Sequence, residues 1–229
     1  MRSAVLAYLL ALVACSAKPE PIRVFTASSL TELAQAAAEA HQAATGEPVD
    51  VIPGGSHLLR VQLEQGAPGH LFLAAHPRHV EGLEGRGRVL RRARIGQHRL
   101  VVITPKDNPS GLRRWSDIVK AKRVVLGDSR APIGTYTDAI MPPPPGLVSR
   151  EGNVRLVRAK VALGEAEAAV VYASDVQGQK SLKVFAVPPK LQPEMPVEAA
   201  LLDEAAAPLL AWLLGSEGQA MARRLGISP

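Results

Sequence analysis

With 229 residues, 47% of them hydrophobic, the chain has apolar material for one large domain or two lobes of about 100 residues each, which excludes disorder throughout. Two tryptophans, three tyrosines and three phenylalanines stand against nineteen glycines and nineteen prolines, so the core must be built from Ala, Val and Leu, as in α/β proteins. The net charge of +6 comes with bunched arginines (Arg86, Arg88, Arg91, Arg92, Arg94), but no aromatic lies among them, which argues against nucleic acid and for a solvated basic face or a docking surface.

The chain opens with Arg2 and an apolar or small stretch from Ala4 to Ala14, too short to span a bilayer and sized as a signal h-region. It ends Leu12-Val13-Ala14-Cys15, similar to a bacterial lipobox, and Cys15 is the sole cysteine. The expectation is a lipoprotein signal over residues 1–14 and a lipidated Cys15 with a linker over 15–21. The folded part would then be an exported, membrane-anchored domain in the periplasm or at the cell surface.

From Pro21 onward strands and helices alternate. Ile22–Thr26 reads as a strand, Leu30–Ala44 as a helix, Val49–Ile52 as a strand, Leu58–Gln65 as a helix, His70–Ala74 as a strand and Arg78–Glu84 as a helix. This βαβαβ order predicts a parallel sheet. Arg99–Thr104 is a strongly apolar strand that carries the chain into a second lobe. Gly111–Ile118 reads as a loop and short helix with Trp115 as a core anchor, and Arg123–Leu126 as a strand. A helix from Pro132 must end at the tetraproline Pro142–Pro145. Asn153–Leu163 is an amphipathic helix, Ala168–Tyr172, Leu182–Val187 and Val197–Leu202 are strands, and Ala205–Leu214 and Ser216–Leu225 are closing helices.

Two junctions stand out. The runs Val24-Phe25-Thr26-Ala27-Ser28-Ser29-Leu30-Thr31 and Val51-Ile52-Pro53-Gly54-Gly55-Ser56 each end a strand in a serine-bearing loop at a helix start. Such a junction collects unpaired N–H groups, a hydroxyl and a positive dipole end, which together seat an anion. Each also reads as plain structure: Ser29-Leu30-Thr31-Glu32 as a capping box, Gly54-Gly55-Ser56 as a turn and cap, and Tyr172 as a core tyrosine.

Further ordered motifs are Gln62-Leu63-Glu64-Gln65-Gly66-Ala67-Pro68, Leu126-Gly127-Asp128, Pro132-Ile133-Gly134-Thr135-Tyr136, Asn153-Val154-Arg155 and Val170-Val171-Tyr172-Ala173-Ser174-Asp175. With the two junctions they span nearly the whole chain after Ile22, which in this respect resembles the molybdate-binding proteins of bacterial ABC transporters. That resemblance implies an α/β, two-lobed periplasmic binding protein fold. Each lobe would be a mostly parallel sheet flanked by helices, with residues 22–98 and 190–229 in lobe one, 99–189 in lobe two and the ligand in the cleft between. It implies oxyanion contacts from the hydroxyls of Ser29 and Ser56, the backbone amides of Ile133 and Val154, and the hydroxyl of Tyr172. These are contacts to molybdate or tungstate, with no free cation site and no cofactor. The implied partners are a permease and a separate ATPase, and the chain itself is expected to be a monomer.

The chemistry supports such a ligand independently. Molybdate, tungstate and sulfate carry no proton near neutral pH and only accept hydrogen bonds, whereas phosphate keeps a proton that needs an acceptor. His57, beside Ser56, is expected to add a charged donor at low pH. Against an enzyme, neither serine stands in a Gly-x-Ser-x-Gly elbow and there is no Walker loop. His70, His76 and His79 match no standard metal spacing. An organic acid would call for an arginine fork, which the serine motifs lack.

Overall fold

The computed structural model describes residues 20–228, so the signal segment and Cys15 lie outside the described residues. The chain begins with β1 (Ile22–Ala27), a 3-10 turn over Ser28–Leu30, α1 (Thr31–Thr45), β2 (Val49–Gly54), α2 (Ser56–Glu64), β3 (Leu71–Ala74), α3 (Pro77–Glu84) and β4 (Arg91–Gln97). It crosses to a second group: β5 (Leu100–Pro105), β6 (Val124–Gly127), α4 (Pro132–Ile140), β7 (Leu147–Glu151), α5 (Val154–Ala162), β8 (Ala168–Tyr172) and β9 (Leu182–Ala186). It then returns for β10 (Pro196–Leu201), α6 (Ala207–Leu214) and α7 (Ser216–Arg224). No helix among the described residues is long and apolar enough to cross a membrane.

Two five-stranded sheets result, ordered β2-β1-β3-β10-β4 and β7-β6-β8-β5-β9. The expectation of mostly parallel sheets needs correction. Each sheet is mixed, with two parallel pairings among its βαβ strands and two antiparallel ones. The antiparallel strands are those next to the crossings. β10 returns from the other lobe and inserts between β3 and β4, and β5 enters the second sheet between β8 and β9.

Burial follows sequence pattern. β8 is covered on both faces, and all five of its residues are buried, as its unbroken Ala-Ala-Val-Val-Tyr run requires. α1 buries Leu33, Ala34, Ala37 and Ala38, a single stripe at helical spacing. Phe25, Phe72, Leu59, Leu63, Val80 and Leu83 form a second, smaller core under α2 and α3. Trp115 is half-buried against the main core.

β4 and β7 were not expected from sequence. Both are edge strands, and their sequences, Arg-Arg-Ala-Arg-Ile-Gly-Gln and Leu-Val-Ser-Arg-Glu, lack an apolar run because most of their side chains stay partly exposed. The arginine bunch is therefore less free than a solvated face. Arg92 on β4 forms a two-pronged bond to Glu198 on β10 (2.8 and 2.9 Å) and also reaches Glu81 and Glu84. Arg94 pairs with Glu194 and Arg86 with Glu64.

The crossings are stitched together. The His98 N–H donates to the Met195 carbonyl (3.0 Å). The Gln192 amide accepts from Leu100 N–H and donates to the Leu100 carbonyl, both at 2.8 Å.

Candidate functional site

The cleft between the lobes has a volume of about 230 Å³ including its mouth, and four helix starts border it. Ala27, Ser28 and Ser29 lead into α1, and Gly54, Gly55 and Ser56 open α2. Ala131, Pro132 and Ile133 open α4, and Gly152, Asn153 and Val154 open α5. Ala75 and Tyr172 complete the lining, which contains no Lys, Arg, His, Asp or Glu. First-turn N–H groups have no carbonyl partner within their helix and carry the positive end of its dipole. The cleft is thus rich in donors yet lined by uncharged side chains.

All five residues singled out from sequence line this cleft. Ile133 is the second residue of α4, after Pro132, whose missing N–H costs nothing at a helix start. Val154 is the first residue of α5, which Asn153 caps by accepting from Leu156 N–H (3.1 Å). Burial leaves the Tyr172 hydroxyl without a hydrogen-bond partner among the described residues and pushes its pKa well above the usual phenol value, so it stays a neutral O–H donor.

The capping readings of the two serines do not hold. α1 begins at Thr31, and the Ser29 hydroxyl points instead to His98, with Oγ 3.1 Å from Nε2. Ser56 is the first helical residue of α2, not its cap, and its Oγ accepts from the Ala75 N–H (3.2 Å).

The histidines also sort differently from expectation. His57 lines a separate pocket rather than the cleft, with Arg60, Arg78 and Arg130 around it. Burial lowers its pKa, which disfavours the charged donor expected of it. His70 Nδ1 accepts from the Arg23 N–H, and His76 Nδ1 caps α3 by accepting from Arg78 N–H. Among the described residues no group of His, Cys, Asp and Glu is arranged to hold a metal ion. His98 escaped the sequence reading. It is fully buried, burial alone lowers its pKa to about 3, and its ring stacks on Tyr172 with centroids 4.1 Å apart at 9°.

The lobes are in contact across the cleft. Arg78 on α3 donates to the Arg130 carbonyl (2.6 Å) and to Thr135 Oγ1 on α4 (2.8 Å). In the other direction, Arg155 on α5 donates to the Ser28 carbonyl (2.6 Å) and pairs with Glu32 on α1. His76 stacks on Tyr136, centroids 4.8 Å apart. A Cβ on Gly55 would stand 2.6 Å from the Gly152 carbonyl oxygen, so this approach requires glycine.

Known proteins are similar to this chain in sequence and in fold. The molybdate-binding protein ModA of Escherichia coli (strain K12) is 29% identical over 188 residues, covering 74% of this chain and 72% of that one. The Azotobacter vinelandii periplasmic molybdate-binding protein superposes with a TM-score of 0.80 at 17% identity, covering 91% of this chain and 99% of that one. The sulfate-binding protein SubI from Mycobacterium tuberculosis H37Rv superposes with a TM-score of 0.77 at 14% identity, covering 91% and 86%. The two superpositions show a common fold. The match to the family described as bacterial extracellular solute-binding protein extends over residues 22–228, and the chain belongs to that family.

Proposed function

We propose that this chain captures molybdate, and tungstate through the same contacts, and delivers it to an ABC transporter permease driven by a separate ATPase. The observation that carries this reading is the convergence of four helix starts, two serine hydroxyls and the unpartnered Tyr172 hydroxyl on a cleft lined by uncharged side chains. Such a site satisfies a ligand that only accepts hydrogen bonds. A ligand that must also donate, such as monoprotonated phosphate, gains no carboxylate partner there. An organic acid finds no arginine in the lining.

In this reading residues 22–98 and 190–229 form lobe one, which offers Ser29 and Ser56. Residues 99–189 form lobe two, which offers the Ile133 and Val154 amides and Tyr172. Bound anion links the lobes and favours the closed form, with the interlobe bonds of Arg78 and Arg155 completing it. The permease then recognises that form. Cys15 would carry the lipid that holds the domain outside the inner membrane. The protein binds rather than catalyses and acts as a monomer.

Calorimetric titration of the chain without residues 1–15 tests the ligand. Molybdate and tungstate are expected to bind submicromolar and nearly alike, because they are nearly equal in size. Sulfate binding tighter than molybdate would move the assignment to the smaller anion, and no response to any of the three would end the oxyanion reading. Retention of a Cys15→Ser chain in membranes would rule out the anchor.

A further inference from the structure

The two serines of the cleft are backed by different partners. Behind Ser56 stands the Ala75 amide, which can only donate. The Ser56 oxygen is therefore fixed as an acceptor on that side, and its own proton is free for the cleft. Behind Ser29 stands an imidazole, which in its neutral form has one donor nitrogen and one acceptor nitrogen. Which nitrogen carries the proton decides what Ser29 offers the cleft.

With the proton on Nδ1, His98 Nε2 would accept the Ser29 O–H and turn the serine's lone pairs to the cleft. An acceptor-only anion would meet repulsion there. With the proton on Nε2, Ser29 Oγ accepts and its O–H turns to the cleft. The acceptor-only ligand of the proposed function favours the second form. On the far side of the ring, Ser174 Oγ lies 3.4 Å from Nδ1 and can donate to that nitrogen or accept from it; with Nε2–H it donates, and the chain runs from Ser174 through His98 to Ser29.

We propose that His98, as the Nε2–H form, is a positioning residue that fixes the Ser29 hydroxyl as a donor to the cleft and thereby favours fully deprotonated oxyanions over those that keep a proton. The surroundings hold the ring in place for this task. Its backbone N–H is bonded to Met195 on the returning crossing, and its face is clamped by Tyr172. One side chain at the hinge thus locates a hydroxyl of the first lobe and the phenol of the second. Complete burial keeps water from competing for either ring nitrogen. The ligand preference and the proton's position on His98 both rest on the oxyanion reading above, but the proton's position is read directly, without any ligand.

Two measurements on the protein test this. Nitrogen-15 NMR of the labelled imidazoles should show His98 protonated at Nε2 and bare at Nδ1, with and without molybdate; the reverse would overturn the proposal whatever the ligand. The second is affinity. His98→Phe keeps a ring on Tyr172 but no donor, and is expected to weaken molybdate binding about tenfold, the worth of one hydrogen bond. His98→Gln returns an N–H near the Nε2 position and should restore affinity to within about threefold.

In a Ser29→Ala background, His98→Phe should add no further loss. An equal loss with and without Ser29 would make His98 a structural residue and overturn the proposal, as would a Phe variant that binds like wild type. If wild type binds sulfate and not molybdate, the same variants read with sulfate still decide the role of His98. If it binds no tetrahedral oxyanion, the proposed function fails, and the imidazole spectrum still decides the hydrogen-bond chain.

Discussion

The two sides of the cleft offer their donors by different means. The first lobe presents side-chain hydroxyls, Ser29 and Ser56, each backed by a partner outside the cleft. The second presents the first-turn amides of α4 and α5, and the Tyr172 hydroxyl, which has no hydrogen-bond partner among the described residues. A hydroxyl is lost when one side chain changes. A backbone amide survives almost any substitution and is lost only when the helix start moves or the N–H itself is removed. At Ile133 and Val154 the second lobe should therefore tolerate side-chain change where the first does not.

The largest effect is expected from the first side. On the proposed reading, Ser29→Ala with Ser56→Ala removes two hydrogen bonds to a charged ligand, about 1.5–3 kcal/mol each, so affinity should fall by about 10²–10⁴ in calorimetry. A loss under tenfold would place the anion's main contacts elsewhere.

Val154 sharpens the contrast. Val154→Ala shortens a buried side chain, costing stability, but keeps the N–H, so affinity should stay within about threefold. Val154→Pro removes that N–H at a position where helices accept proline, after an Asn153 already extended (φ −156°, ψ 162°). It should keep the fold by circular dichroism and lose about 10–100-fold in affinity. Equal affinities for the two variants would break the comparison.

The contacts that join the sides come next. Arg78→Ala with Arg155→Ala removes the reciprocal bonds between α3 and α4 and between α5 and the Ser28 turn. These are partly exposed, so affinity should fall only about three- to tenfold, with small-angle scattering showing a wider ligand-free molecule.

The smallest effect concerns the second lobe alone. Asp175, three residues after Tyr172, is fully buried, and burial pushes its pKa from 3.8 up to about 7. Between those values the unfolded chain has released this proton and the folded one still holds it, so stability falls as pH rises from about 4 to 7. Asp175→Asn should gain over wild type in melting temperature, by about 2–4 °C or more at pH 8 and by less at pH 5. An equal gain at both would remove the buried carboxyl from the account.

Local rules carried much of the fold. Strands buried on both faces, such as β8, and helices with one apolar stripe, such as α1, announce themselves by their periodicity. Edge strands do not, and β4 and β7 lack a hydrophobic run because half of each faces solvent. The antiparallel pairings were hidden too, since they depend on where the crossing strands insert. Within the site, the residues read from sequence lie at helix starts or strand ends, where a short segment fixes the local conformation. His57 misled because nearness in sequence to Ser56 did not place it in the cleft, while His98 was overlooked because nothing beside it in sequence resembles a site.

The sequence by itself determined the strand–serine–helix junctions and the two helix starts of the second lobe, because a helix exposes its first amides wherever it begins. Only the tertiary structure decided that four such starts meet in one cleft. It alone set His98 against Ser29, sixty-nine residues away in the chain. Their contact follows from the crossing between two sheets, a long-range arrangement that no neighbouring residue encodes.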